Sequence, residues 1–264
     1  TATDKVTGEV AAPQVHNGTI SPDGARAWVG SQKQGEAAII VLDLQSMTRV
    51  GSIGLDKTPR ALDASPDGRR VYFTLAGVNA IQVLDTSTNQ VIAQVPVGAS
   101  PHLAPPTPDG RWDLAVVQGP GELGIIDTAT NTVKHVTYVG RSPHEAFFTP
   151  DGKEVWVTVR GENYISVIDA SSFKETMRIE VPAGPGMQIF SPDGKYGYIC
   201  SSFNPETVVV DVANHAIVAR VKQESPFCPN IAATPDGEQV WFTLKDIGKT
   251  EVFNARPPFN KIAL

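Results

Sequence analysis

Short apolar runs separated by polar turns recur along the whole chain. One set is built around an aromatic in most copies: Ala27-Trp28-Val29, Val71-Tyr72-Phe73, Val155-Trp156-Val157, Gly197-Tyr198-Ile199 and Val240-Trp241-Phe242. A second set ends in an acid or amide, at Ile40-Val41-Leu42-Asp43, Val83-Leu84-Asp85, Ile125-Ile126-Asp127, Val167-Ile168-Asp169, Val209-Val210-Asp211 and Val252-Phe253-Asn254. A polar turn and another run follow the acid, as Thr86-Ser87-Thr88-Asn89 leads into Val91-Ile92-Ala93-Gln94-Val95. Brief runs rich in β-branched and aromatic residues, bounded by turn-forming residues, predict strands.

Ser or Thr followed by Pro-Asp-Gly punctuates this pattern six times, and the aspartates Asp23, Asp67, Asp109, Asp151, Asp193 and Asp236 are spaced 44, 42, 42, 42 and 43 residues apart. An aromatic lies five residues past the Asp in five copies, and Leu114 takes that place in the third. Proline presets φ at the first central position, Asp bonds its own backbone and Gly tolerates positive φ, so each copy predicts a chain reversal between two strands. Four short strands in each repeat of roughly 42 residues is the pattern of a β-propeller blade.

Residues 11–54, 55–97, 98–139, 140–182, 183–222 and 223–254 carry six sets of three inner strands, and the first five sets each have an outer strand of their own. The sixth stops at Asn254, and Thr1-Ala2-Thr3-Asp4-Lys5-Val6 matches Thr128-Ala129-Thr130-Asn131-Thr132-Val133, which follows the acid of the third repeat. Residues 1–10 are therefore expected to complete the sixth blade and close a six-bladed all-β propeller, since an unpaired strand edge invites association. The tail past Ala255 contains Pro257-Pro258. Those prolines cannot donate ladder hydrogen bonds, which makes the tail a poor rival for that place. The alternative is a seven-bladed ring with one blade incomplete in this chain. One propeller domain over residues 1–264 is the expected organisation, because radial repetition lets a single domain grow blade by blade.

The pattern Pro-x-x-x-x-x-Ser-Pro-Asp-Gly, then aromatic-Val-Thr, then Ile-x-Val-Ile-Asp-Thr resembles the YVTN-type β-propeller repeats, over essentially the whole chain. Trp156-Val157-Thr158 with Asn163-Tyr164-Ile165-Ser166-Val167-Ile168-Asp169, and Tyr72-Phe73-Thr74 with Asn79-Ala80-Ile81-Gln82-Val83-Leu84-Asp85, carry the likeness most fully. The Asn that closes the family's name motif is replaced by Ser31, Leu75, Val117, Val159, Ser201 and Leu244. The resemblance implies a propeller, more usually of seven blades, and a periplasmic or secreted home. Propellers similar to it include lactone-opening hydrolases and lyases.

A formal charge of −6 over 264 residues argues against bulk attraction to nucleic acid. No stretch approaches the roughly 20 apolar residues of a membrane span. The start, Thr1-Ala2-Thr3-Asp4-Lys5, is polar and shows no signal-peptide pattern, as a processed chain also would.

Candidate chemistry lies seven residues before each turn Asp, where the chain begins the innermost strand: His16, Arg60, His102, His144, Gly186 and Pro229. In a propeller this register faces the mouth of the central channel, so four consecutive blades offer His, Arg, His and His, with Arg141 and Glu145 flanking the fourth. Imidazoles beside Arg can hold a small anionic ligand or work as acid and base, and His16, His102 and His144 can ligate a transition metal. The plain alternative is a set of solvated polar residues after a loop. Three functions follow: a binding scaffold for a small anion or a protein partner, a lactonase-like hydrolase or lyase, and a structural or surface-layer module. No Cys-x-x-Cys-His haem signal, phosphate-cradling glycine loop or Gly-x-Ser-x-Gly elbow is present. Cys200 and Cys228 fall in neighbouring blades, where a disulfide or two unrelated thiols fit equally. Trp28, Tyr72, Trp156, Tyr198 and Trp241 read as blade-packing core. Asp43, Asp85, Asp127, Asp169 and Asp211 read as turn-formers, and His135 and His215 as surface residues.

Overall fold

In the computed structural model, which describes residues 8–262, the Pro-Asp-Gly turns close as their composition requires. In the first, Gly24 N–H donates to Ser21 O at 2.8 Å, Ser21 Oγ donates to Asp23 Oδ1 at 2.5 Å, and Arg26 N–H donates to Ser21 Oγ at 2.9 Å. Gly24, Gly68, Gly110, Gly152, Gly194 and Gly237 all take positive φ, between 68° and 72°, where a Cβ would be strained. The hydroxyl of Ser21 holds the Asp23 carboxyl below its ordinary value, and at the fourth turn the Lys153 side chain and Thr149 hydroxyl bring Asp151 down to about 2. The second acid of each repeat works in the same way. Asp85 accepts from Ser87 and Thr88, which draw its pKa to about 2.

Between these turns the strands pair in sequence order. Val15–Ile20, Arg26–Ser31, Ala38–Asp43 and Thr48–Gly54 make the first antiparallel sheet, and Pro143–Phe148, Glu154–Val159, Tyr164–Asp169 and Lys174–Glu180 the fourth. The described residues form six such four-stranded sheets, so the fold is a six-bladed all-β propeller. Second and third strands are buried on both faces, as at Ile39, Ile40 and Val41, and outer strands expose Val50, Ile92 and Val218. The predicted core aromatics Trp28, Tyr72, Trp156 and Tyr198 are buried, and Trp241 is half-buried.

The chain divides into two compact units, one up to Val136 and one from Thr137. Within each, the core lies between successive blades. In the first unit Trp28, Ile39, Leu62 and Phe73 join blades one and two, and Tyr72, Ile81, Ala115 and Ile126 join two and three. In the second, Trp156, Ile165, Ile199 and Val208 join blades four and five, and Tyr198, Val209, Val240 and Phe242 join five and six.

The sixth blade corrects the sequence expectation. Its outer position is taken by Lys261–Ile262, paired as Val252↔Ile262 and Phe253↔Lys261 beside Lys249–Asn254. Residues 1–7 of the proposed closing strand lie outside the described residues, and 8–10 form no strand. The prolines do not disqualify the tail because they sit in the turn and not in the ladder. Asn254 N–H donates to Asn260 O at 2.9 Å across them, and Phe259 is buried. Lys261 Nζ then reaches Glu251 at 2.6 Å and Glu224 at 2.9 Å.

One core position breaks the repeat. Four residues past the turn Asp the other blades carry Ala27, Val71, Val155, Gly197 and Val240, whereas the third carries Asp113, fully buried, with no protein hydrogen-bond partner for either carboxyl oxygen. Its neighbour Asp63 is half-buried as a residue, with Oδ2 wholly enclosed and also unpartnered, and it accepts from Ala104 N–H. In the preceding blade the equivalent Thr19 accepts from Ala64 N–H at 3.0 Å, but the third blade puts Pro106 at Ala64's register, so that donor does not exist. Burial lifts Asp63 to about 6, and burial plus the Asp63 charge lifts Asp113 well above its ordinary range. A carboxyl raised in this way binds its proton more tightly folded than unfolded. Its contribution is complete below pH 3.8 and is lost as pH rises through about 6 for Asp63, and at higher pH still for Asp113. Asp113→Val, restoring the repeat residue, is expected to stabilise the protein by about 1–3 kcal/mol. Urea unfolding at pH 5 and pH 8 should show the gap between variant and wild type widening at the higher pH.

Candidate functional site

The candidate register coincides with a break in the strand ladder. Register shifts fall between Val15 and Asn17, Pro59 and Leu62, Pro101 and Leu103, Pro143 and Glu145, and Pro185 and Gln188. His16, Arg60, His102, His144 and Gly186 therefore all occupy irregular positions. A bulge re-aims a side chain and frees a backbone N–H that needs another partner. Threonines one strand out supply it. Thr74 Oγ1 accepts from Ala61 N–H at 3.2 Å and donates to His102 O at 3.0 Å, and Thr158 Oγ1 accepts from Glu145 N–H at 3.1 Å and donates to Gly186 O at 2.7 Å. Each hydroxyl ties its own bulge to the next blade's inner strand.

The outer edge of that inner strand is satisfied in a related way. Leu62 N–H donates to Asn17 Oδ1 at 3.1 Å, and Gln188 N–H donates to Glu145 Oε2 at 2.6 Å. Glu145, a candidate ligand residue from the sequence, is thus buried and spends an oxygen on a neighbouring blade's backbone. Arg141 is exposed and forks onto Glu162, at 2.8 Å from Nε. In the first unit His16 and Arg60 are exposed, and His16 Nδ1 lies 3.1 Å from Arg60 O, so these two share one patch. His102 is half-buried in the same unit, and His144 is buried in the second. Within either unit no three His, Cys, Asp or Glu side chains among the described residues are placed to hold a metal ion. His215, expected on the surface, hydrogen-bonds Glu154 at 2.9 Å, and exposed His135 lies edge-on to Trp112.

Cys200 takes the threonine's place in the fifth blade. Its Sγ accepts from Thr207 Oγ1 at 3.2 Å, Cys228 Sγ donates to Asn230 O at 3.0 Å, and both cysteines are unbridged thiols in one core cluster. Contact with Cys200 and burial push the Cys228 thiol far up.

Sequence reasoning missed a second group. The half-buried Arg160 lies over the ring of Phe227, 5.4 Å from its centroid, and Lys245 Nζ lies 5.5 Å from the same centroid. The signal was present in the repeat. Phe227 stands where other blades place Gln14, Ser100, Ser142 and Gly184, all at positive φ.

The three-dimensional likenesses are broad. The fold is similar to Hydrazine Synthase of Kuenenia stuttgartiensis (TM-score 0.80, 20% identity, 96% of this chain and 80% of that one). It is also similar to a functionally unknown protein from Desulfotomaculum acetoxidans (0.82, 15%, 96% and 86%) and to the Cps50 (Swd1) β-propeller domain of Myceliophteria thermophila (0.79, 13%, 98% and 88%). The likeness is one of fold. No protein-family model and no curated protein matches the sequence. Among the described residues no helix is long and apolar enough to cross a membrane.

Two outcomes test this architecture. Thr158→Val leaves Glu145 N–H and Gly186 O without their shared partner, and a loss of about 1–3 kcal/mol in urea unfolding is expected. A thiol-reactive aromatic disulfide should titrate neither cysteine in the folded protein at neutral pH and both in denaturant without reductant. A bridge would leave both silent until reductant is added.

Proposed function

We propose that this chain is a binding scaffold for a small anionic ligand, held at the end of the blades where the inner strands begin. The observation that supports this reading is the bulged register. The position at which the ladder is broken in five blades is the one that carries His16, Arg60, His102 and His144, and the backbone around it is held by side chains from adjoining strands. A cation and imidazoles on rigid, bulged strands suit a carboxylate or other oxyanion, with Arg offering a planar fork and His a charge that depends on pH. Arg141 and Glu145 serve this reading as flanking supports. The YVTN-type repeat resemblance belongs to the same proposal, and with it a periplasmic or secreted home.

Calorimetric titration of citrate into the wild type, Arg60→Ala and His16→Ala is the test. Each substitution is expected to weaken binding at least about fivefold, the loss of one charge-assisted contact. Absence of binding, or three indistinguishable curves, would return the register to solvated polar residues. Metal analysis of the same preparation decides between an anion held directly and one held through a bound metal.

A further inference from the structure

The residues around Phe227 are unusual on three separate counts. The first is the backbone. In four other blades the loop position before the inner strand takes φ of 46° at Gln14, 58° at Ser100, 50° at Ser142 and 72° at Gly184, blade two's Thr58 is not in that region, and the sixth blade puts Phe227 there at 61°. A bulky residue in that left-handed region costs on the order of 1 kcal/mol or more, where Gly costs nothing. Packing does not account for the choice, because the side chain is only half-buried.

The second count is charge. Two residues past the aligned Thr158 and Thr243, the repeat reads Gln32, Ala76, Gln118, Arg160, Ser202 and Lys245, so its two cations are the ones that converge on Phe227. The third is the lack of a counter-ion. Arg160 and Lys245 form no ion pair among the described residues, in a protein with 28 acids against 22 Lys and Arg. Acids close in sequence are paired with other cations: Glu162 with Arg141, and Glu224 with Lys249 and Lys261. Asp246, adjacent in sequence to Lys245, pairs with neither cation. Burial of Arg160 pushes its guanidinium down from its usual value, the sign of a cation whose hydration is not replaced by a carboxylate. A cation over an aromatic face gains about 0.5–1 kcal/mol at an exposed site. That is too little to offset the desolvation of one charge and the repulsion of a second beside it.

We propose that Arg160, Lys245 and Phe227 form a binding site for a small organic carboxylate with a planar, unsaturated body. The carboxylate takes the Arg160 fork with Lys245 as second donor, and the planar body lies against the Phe227 ring. The inference goes beyond the anion-binding reading above and uses none of the same residues. At the two registers where blade four carries His144 and Arg160, blade five carries the smaller Gly186 and Ser202.

The test is fluorescence titration of 1-naphthoate and of the isosteric neutral 1-naphthamide. Variants follow the repeat, so each places a residue the fold already accepts at that register: Arg160→Gln and Lys245→Gln after Gln32 and Gln118, and Phe227→Ser after Ser100 and Ser142. Wild type is expected to prefer the carboxylate to the amide by at least about tenfold, the worth of a charge-assisted pair. Arg160→Gln should abolish that preference, Lys245→Gln should reduce it, and Phe227→Ser should weaken both probes alike. Competition by inorganic phosphate equal to that by benzoate would overturn the planar carboxylate in favour of a general anion patch. Equal affinity for the two probes, or a preference that survives Arg160→Gln, would overturn the site. If citrate binding responds to Arg60→Ala but naphthoate ignores Arg160→Gln, this inference fails and the reading above stands. The converse result sinks the reading above and leaves this site.

Discussion

Every blade presents an innermost strand with one paired edge and one open edge, and the open edge must be satisfied by something other than a fifth strand. Side chains from the preceding blade do it, Asn17 for Leu62 and Glu145 for Gln188. At the bulges of blades two and four a threonine hydroxyl closes the gap and reaches on to the next blade's carbonyl. Buried backbone groups left unpaired cost roughly 1–3 kcal/mol each, so this stitching is a condition of the fold. It also fixes where chemistry can go. Positions that stitch are occupied by Asn, Thr and Glu, and the bulged position between them is left to vary.

That division explains the fate of the residues in the register. His16 and Arg60 sit exposed on the bulge, while Glu145, one residue along from His144, is drawn into the stitching. Arg141 is held by Glu162. The core exception has a related origin. Pro106 removes the donor that the preceding blade's Asp63 would otherwise use, and Asp113 then lies beside a carboxyl already short of partners.

Strands, turns and blade number were legible in the sequence because each repeat writes them in short-range chemistry: Pro, Asp and Gly at fixed offsets and an aromatic five residues on. Closure of the sixth blade was not. Its outer strand is two residues long, too short to carry a period, and the helpful likeness of Thr1-Ala2-Thr3-Asp4-Lys5-Val6 to an outer strand outweighed it. The prolines were read as disqualifying a strand when they only build its turn. The register of His16, Arg60, His102 and His144 was visible as spacing, but the bulge beneath it was not, since a bulge is a property of two strands together. Phe227 was visible too, as the one aromatic member of a column of Gln, Thr, Ser and Gly. Its significance depends on Arg160 and Lys245 arriving from different blades, and no local pattern reveals that meeting.

The sixth blade, completed by the residues that immediately follow its third strand, leaves every sheet among the described residues built from consecutive sequence. Strand pairing is therefore of low contact order, and the loop closures that slow many all-β proteins are confined to neighbouring hairpins. The chain can acquire its structure as a growing stack, each finished sheet offering a face for the next.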